Sequence, residues 1–179
     1  RETWYIPNGI SRPEKKEAKV ITDKWGLEKD SYILFLARLV PEKGAHYLID
    51  AYQRMDTDKK LVIAGGNSHS TEYVSEIHDK AKANENIILT GFVQGEELEE
   101  LYSNAYLFVL PSDIEGMALS LLEAMSYGNC CLVSDICENK EVVEDRAITF
   151  RKSDTSDLQD KLTFLVKHPE IVKDYQQQS

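Results

Sequence analysis

Long apolar runs are missing from this chain. None of the stretches within its 179 residues approaches the ~20 needed to span a bilayer. An initiator Met and a signal-peptide pattern are missing too. The chain opens at Arg1-Glu2-Thr3-Trp4 and closes at Gln176-Gln177-Gln178-Ser179, which predicts a single domain, 1–179, excised from a longer protein. Positive charge is scarce: Lys and Arg total 21 against 31 Asp and Glu, a net charge of -10. Nucleic acid and anionic lipid reward a broad cationic surface, so both are disfavoured as main partners. A small anionic ligand would need Arg or Lys placed locally against the global field. Cysteine is limited to Cys130, Cys131 and Cys137, an odd number whose spacing fits no zinc or iron–sulfur pattern. Cys130 and Cys131 read as small core hydrophobes, and a reducing, cytoplasmic setting is the simplest one. No G-x-G-x-x-G follows a strand and no G-x-x-x-x-G-K-[ST] loop occurs, which sets aside dinucleotide and ATP sites of those two kinds. His46, His69, His78 and His168 are isolated, without metal-ligand spacing to Cys, Asp or Glu, and no Ser-His-Asp arrangement is supported.

What is present suits one soluble globular domain: 42% hydrophobic and 29% charged residues. Short, continuous apolar runs at 32–39, 61–64, 87–90, 106–110, 130–134 and 147–150 suit strands buried on both faces. Between them lie helix-like pieces at 45–55, 71–83, 96–103, 117–127, 140–144 and 155–166. Ala45, Leu48, Ile49 and Tyr52 stand at helical spacing in the first. Trp4-Tyr5-Ile6 and a charged helix over 14–25 lead into the series. The alternation predicts an α/β domain, a Rossmann-like doubly wound parallel sheet with helices on both faces. Ligands of such sheets bind outside the carboxyl ends of the strands, near the switch point.

The loops at those ends carry the chemistry. After the first strand, Arg38-Leu39-Val40-Pro41-Glu42-Lys43-Gly44 sets two cations five residues apart just before a helix. Strand end, tight turn and helix N-terminus fit an anion pocket, with Arg as a planar fork and Lys as a mobile charge. The same pair also fits two solvated surface cations. Gly65-Gly66-Asn67-Ser68-His69-Ser70 follows the second strand; its glycines suit either close ligand approach or a plain turn. Gly91-Phe92-Val93 follows the third and can present backbone groups to a base.

The fourth loop is the richest, running Pro111-Ser112-Asp113-Ile114-Glu115-Gly116-Met117-Ala118-Leu119 into a helix that contains Glu123. With the helix starting near Met117, its first amides lack intrahelical partners and can bind an anion or sugar hydroxyls. Glu115 sits at the mouth. Glu123 is a single carboxylate in an otherwise apolar helix: either a solvated surface group, or a buried one whose partner is a pair of ligand hydroxyls.

Taken together, Arg38-Leu39-x-x-x-Lys43-Gly44, Ala64-Gly65-Gly66, Pro111-Ser112-x-x-Glu115-Gly116 and Glu123-Ala124-Met125-x-x-Gly128 resemble the C-terminal domain of GT-B glycosyltransferases. The nearest likeness is to the large retaining group called family four, or glycosyl transferases group 1. Glu115 and Glu123 match its E-x7-E motif, Glu141-Val142-Val143 its following E-V-V element, and Pro7-Asn8-Gly9-Ile10 the segment that enters the domain. The resemblance covers roughly 5–166 and implies one half of a GT-B fold, with the N-terminal acceptor domain absent. It implies transfer of a sugar from a nucleotide-diphosphate sugar to an acceptor, with retention at the anomeric carbon.

By that resemblance Arg38 and Lys43 hold the diphosphate and stabilise the departing nucleotide. Glu123 holds the ribose hydroxyls. Glu115, with the amides of Gly116, Met117, Ala118 and Leu119, holds the donor sugar and its phosphate, and the backbone of Val93 meets the base. No metal and no cofactor beyond the donor is implied. The acceptor, a sugar or lipid-linked sugar, belongs to the absent half; polysaccharide biosynthesis is the common employment of such enzymes. The full-length protein is expected in the cytoplasm or peripherally at the membrane, and the isolated fragment is expected to be inactive. Three rivals compete: a non-catalytic nucleotide-sugar-binding module, a GT-B-fold sugar-nucleotide epimerase and a glycosidase. The first would show loss of a donor residue, yet Arg38, Lys43, Glu115 and Glu123 are all present. The E-x7-E and R-L-x-x-x-K-G combination disfavours the second. Carboxylates on one loop rather than opposed across a cleft disfavour the third.

Overall fold

The computed structural model describes residues 12–66 and 71–178. Six strands, β1 (Tyr32–Leu36), β2 (Lys60–Ala64), β3 (Ile87–Gly91), β4 (Leu107–Leu110), β5 (Cys131–Ser134) and β6 (Ile148–Phe150), form one sheet ordered β3-β2-β1-β4-β5-β6. Every pairing is parallel. The chain steps outward from β1 to β3, returns to lay β4 beside β1, then steps outward on the other side. The switch point therefore lies between β1 and β4.

The apolar runs fold this way because alternate side chains find a core on each face. Ile33, Phe35, Leu61, Ile63, Leu107, Val109 and Leu132 point into one core. The helices on that side are α2 (Ala45–Gln53), α3 (Thr71–Lys82), α7 (Thr155–Lys167) and α8 (Pro169–Gln178). Tyr32, Leu34, Val62, Phe108, Leu110, Cys131 and Val133 point into the other. It is covered by α1 (Val20–Trp25), α4 (Gly95–Asn104), α5 (Leu119–Ser126) and α6 (Cys137–Val143). Cys130 and Cys131 are fully buried, as expected of small core hydrophobes, and burial pushes the Cys130 thiol up to about 12.

Several boundaries differ from the expectations. The charged helix expected over 14–25 shortens to α1, because 12–19 alternates charges without an apolar stripe to bury. Glu100 of α4 caps it instead: its Oε2 accepts from the amides of Lys19 and Ile21, each at 3.0 Å. β1 ends at Leu36 rather than Leu39, although the Leu39 amide still reaches Gly66 O at 3.5 Å. α8 was not expected; Pro169 opens it at a position where a missing N–H costs nothing, and Val172 buries against the core. Trp4-Tyr5-Ile6, Pro7-Asn8-Gly9-Ile10 and the stretch Asn67-Ser68-His69-Ser70 lie outside the described residues. No helix of the described residues is long and apolar enough to cross a membrane.

Candidate functional site

The loops after β1 and β4 meet above the switch point, and their fit is tight. A Cβ placed on Gly44 (φ 74°) would stand 2.2 Å from Pro111 O, so only glycine lets the two loops close. Gly65 is as constrained: a Cβ there would stand 1.9 Å from Ala37 O. The Asp113 amide donates to Glu42 O at 2.8 Å, which ties the loops together again.

Lys43 Nζ donates to Glu115 Oε2 at 2.7 Å across this junction, with side chains 16% and 2% exposed. Ser112 Oγ donates to Glu115 Oε1 at 2.6 Å. Glu115 is thus buried, not at the mouth as expected, because each carboxylate oxygen finds an internal donor that offsets its desolvation. Arg38, by contrast, is exposed, and its side chain has no hydrogen-bond or ion-pair partner among the described residues. One cation is committed to the fold; the other is available.

Asp113 fastens the same loop from outside. Its Oδ2 accepts from Tyr47 OH at 2.9 Å and its Oδ1 from Ser153 Oγ at 2.6 Å.

Beyond Glu115 the chain does not enter a helix at Met117. Ala118 has φ -78° and ψ 69°, and the Leu119 amide donates to Met117 O at 2.9 Å. That is an inverse γ-turn, which delays α5 to Leu119. The Leu119 amide is therefore spent internally. Gly116, Met117 and Leu119 are exposed while Ala118 is buried.

Four residues on, Glu123 is half-buried and lines a cavity of about 260 Å³ with Gly95, Leu98, Glu99 and Tyr127. Its Oε2 accepts from Tyr102 OH at 3.0 Å, and no described residue partners Oε1. Burial first, then the Glu123 charge, pushes the Tyr102 phenol well above its ordinary range, so it stays a donor. Tyr102 stacks on Tyr127, with ring centroids 5.3 Å apart. Val93 is buried in the core beneath α4, leaving only its backbone to meet a ligand.

Sequence reasoning singled out Arg38, Lys43, Glu115 and Glu123, quoted Ser112 only as part of a motif, and gave no role to Tyr102, Tyr47, Asp113, Ser134 or Asn139, which hold Glu123 or the loop around Glu115. The contacts of Tyr102 with Glu123, Tyr47 with Asp113 and Ser134 with Ser112 join residues 21, 66 and 22 apart, so no local spacing announces them. Among the described residues, no three His, Cys, Asp or Glu side chains gather as a metal site. His46 lies in the first turn of α2, where its Nδ1 is 2.8 Å from Tyr73 OH.

A family model described as glycosyl transferases group 1 matches residues 17–179. The chain belongs to this family. Among curated relatives of this glycosyltransferase group 1 chain, the O-antigen chain mannosyltransferase B of Escherichia coli is 28% identical over 154 residues, 84% of this chain and 39% of that protein. An α-maltose-1-phosphate synthase of Mycobacterium tuberculosis is 30% identical over 149 residues, 80% of this chain and 37% of that protein. A crystal structure of Anabaena HepE in complex with UDP and glucose superposes with a TM-score of 0.79 at 18% identity, over 87% of this chain and 44% of that one. It carries the same fold. The chain spans between three and four tenths of the length of the curated relatives it matches first, 30%, 39% and 33%. The motif resemblance is borne out for family and for fold.

Proposed function

We propose that the chain is the donor-binding half of a retaining GT-B glycosyltransferase, holding a nucleotide-diphosphate sugar in the crevice over the switch point between β1 and β4. The observation that carries this reading is the meeting there of Lys43 and Glu115, with Arg38, five residues earlier on the same loop, exposed and uncommitted. Arg38 supplies a planar fork for diphosphate oxygens, and Lys43 adds a second positive charge at the same end of the sheet. Both stabilise the departing nucleoside diphosphate, the group on which charge builds as the anomeric bond breaks. Glu123 takes ribose hydroxyls: Tyr102 leaves Oε1 open and the cavity opens beside it. Glu115 keeps unused lone pairs after accepting from Ser112 and Lys43, and these take hydroxyls of the transferred sugar. The amides of Gly116, Met117 and Ala118 add donors for the sugar phosphate, and the Val93 backbone meets the base. The acceptor is bound by another part of the full-length enzyme.

Arg38→Ala gives the clean test, because Arg38 has no structural duty among the described residues. Calorimetric titration with UDP-, GDP- and ADP-linked sugars should find one binding series. Arg38→Ala should then cost on the order of 1.5–3 kcal/mol, the loss of a charged hydrogen bond, with unaltered thermal stability. Unchanged affinity removes Arg38 from the site. Lys43→Ala is a poorer probe, since it strands the buried Glu115 carboxylate and should cost about 3–5 kcal/mol of stability by itself.

A further inference from the structure

The loop that carries Glu115 is held from below by a line of buried polar groups. Asn139, on α6, donates through Nδ2 to Ser134 Oγ at 3.0 Å and to Ser134 O at 3.2 Å. Ser134, the last residue of β5, donates through Oγ to Ser112 O at 2.5 Å. Ser112 then donates to Glu115 Oε1. All three are fully buried, at 0% exposure. The direction of every bond is forced. A carboxylate only accepts, so the Ser112 hydroxyl must donate to it. A carbonyl only accepts, so the Ser134 hydroxyl must point to Ser112 O, which leaves the Ser134 oxygen to receive the Asn139 N–H.

Burying three polar side chains where aliphatic ones would pack is costly, and Asn139 Oδ1 has no hydrogen-bond partner among the described residues. Turning the carboxamide over to relieve that oxygen would set acceptor against acceptor at Ser134 O. The cost is therefore tied to one arrangement, and that arrangement ends on Glu115.

We propose that Ser112, Ser134 and Asn139 are positioning residues for the transferred sugar: they set the plane of the Glu115 carboxylate, and so choose which of its lone pairs remain for sugar hydroxyls. This rests on the donor-binding reading above. Lys43 alone would hold one oxygen and leave the carboxylate free to rotate about it. Ser112 pins the second oxygen, and Ser134 with Asn139 pins Ser112. The line reaches across the β4 and β5 strand ends to α6, so the geometry offered to the sugar is set in part by an element on the far side of the loop.

The consequence is a split between nucleotide and sugar. UDP, GDP and ADP, and the same three nucleotides linked to glucose or mannose, are titrated into wild type and into Ser112→Ala, Ser112→Thr and Asn139→Ala, with a thermal melt of each variant. For the nucleotide that binds, the expected result with Ser112→Ala is affinity for the free diphosphate within about twofold of wild type. The extra affinity conferred by the sugar should fall about tenfold or more, as for a lost hydrogen bond to a charged acceptor. Ser112→Thr keeps the hydroxyl and should restore most of it, and Asn139→Ala should lose part of it. Asn139→Ala can fail to fold; Ser112→Ala removes a single oxygen and decides alone. Equal losses for diphosphate and nucleotide sugar, or an unchanged sugar increment in Ser112→Ala, overturn the proposal while leaving the donor reading intact. Wild type that binds none of these ligands overturns both.

Discussion

At the residue scale, the two cations of the first loop have different duties. Lys43 is built into the fold by its pairing with Glu115, whereas Arg38 stands clear of it. Their spacing in the sequence made both visible and gave no hint of this division, which depends on a carboxylate 72 residues further on. Glu115 illustrates the same limit. Its residue type and place in the E-x7-E motif were legible, but its burial was not, because Ser112 and Lys43 reach it from two directions. Gly44 gives the sharpest residue-level prediction. Gly44→Ala forces a side chain into the left-handed region, at about 1–2 kcal/mol, and drives its Cβ against Pro111 O. The urea midpoint should drop by more than the backbone cost alone, and nucleotide affinity should fall with it. A variant of wild-type stability would show that the two loops can part without penalty.

At the scale of elements, β-strands were the most legible, because continuous apolar runs have one good explanation in a chain of this length. Helix ends were the least. α5 starts two residues late on account of a γ-turn at Ala118, a backbone choice that no side-chain pattern encodes. The start of α1 was hidden as well, because its first amides are capped by Glu100 from α4 rather than by a neighbour in sequence. That cap makes the helix pair sensitive to acid. Burial pushes the Glu100 carboxyl up, but the amides of Lys19, Ile21 and Val20 outweigh it and hold the group below its usual range. A carboxyl depressed in the folded state stabilises above its unfolded pKa and loses that contribution as pH falls through the folded one. Stability should therefore decline below about pH 4.5 more steeply in wild type than in Glu100→Gln, which removes the titrating group. Equal pH slopes in thermal melts of the two would place the acid sensitivity elsewhere. His46 adds in the same direction nearer neutrality: burial lowers it, against the pull of Glu76, Asp113 and Asp50. Its contribution fades as pH falls through its ordinary value.

At the scale of the whole molecule, the doubly wound sheet was read correctly from strand–helix alternation, and its switch point told where to look before any side chain was placed. The order of strands around that point was a matter of chirality and packing that local patterning does not carry. This chain spans about a third of the length of two of its relatives, and the reading proposed above assigns the sugar acceptor to another part of the full-length enzyme. Residues 1–179 alone should bind nucleotide weakly and transfer nothing; sustained release of nucleoside diphosphate with sugar appearing on an added acceptor would defeat that expectation.

The division of the crevice between the two wings of the sheet also bears on how the chain is made. A nascent polypeptide that has only reached β3 already carries Arg38 and Lys43, with no opposing wall. The wall arrives with the segment after β4, held by Ser134 and Asn139 from still later in synthesis. On the donor-binding reading proposed above, recognition of ligand would not build up gradually: it would switch on when the second wing docks. On that same reading, a nucleotide sugar in the surrounding solution would stabilise finished molecules in preference to half-made ones, because only the finished crevice binds it.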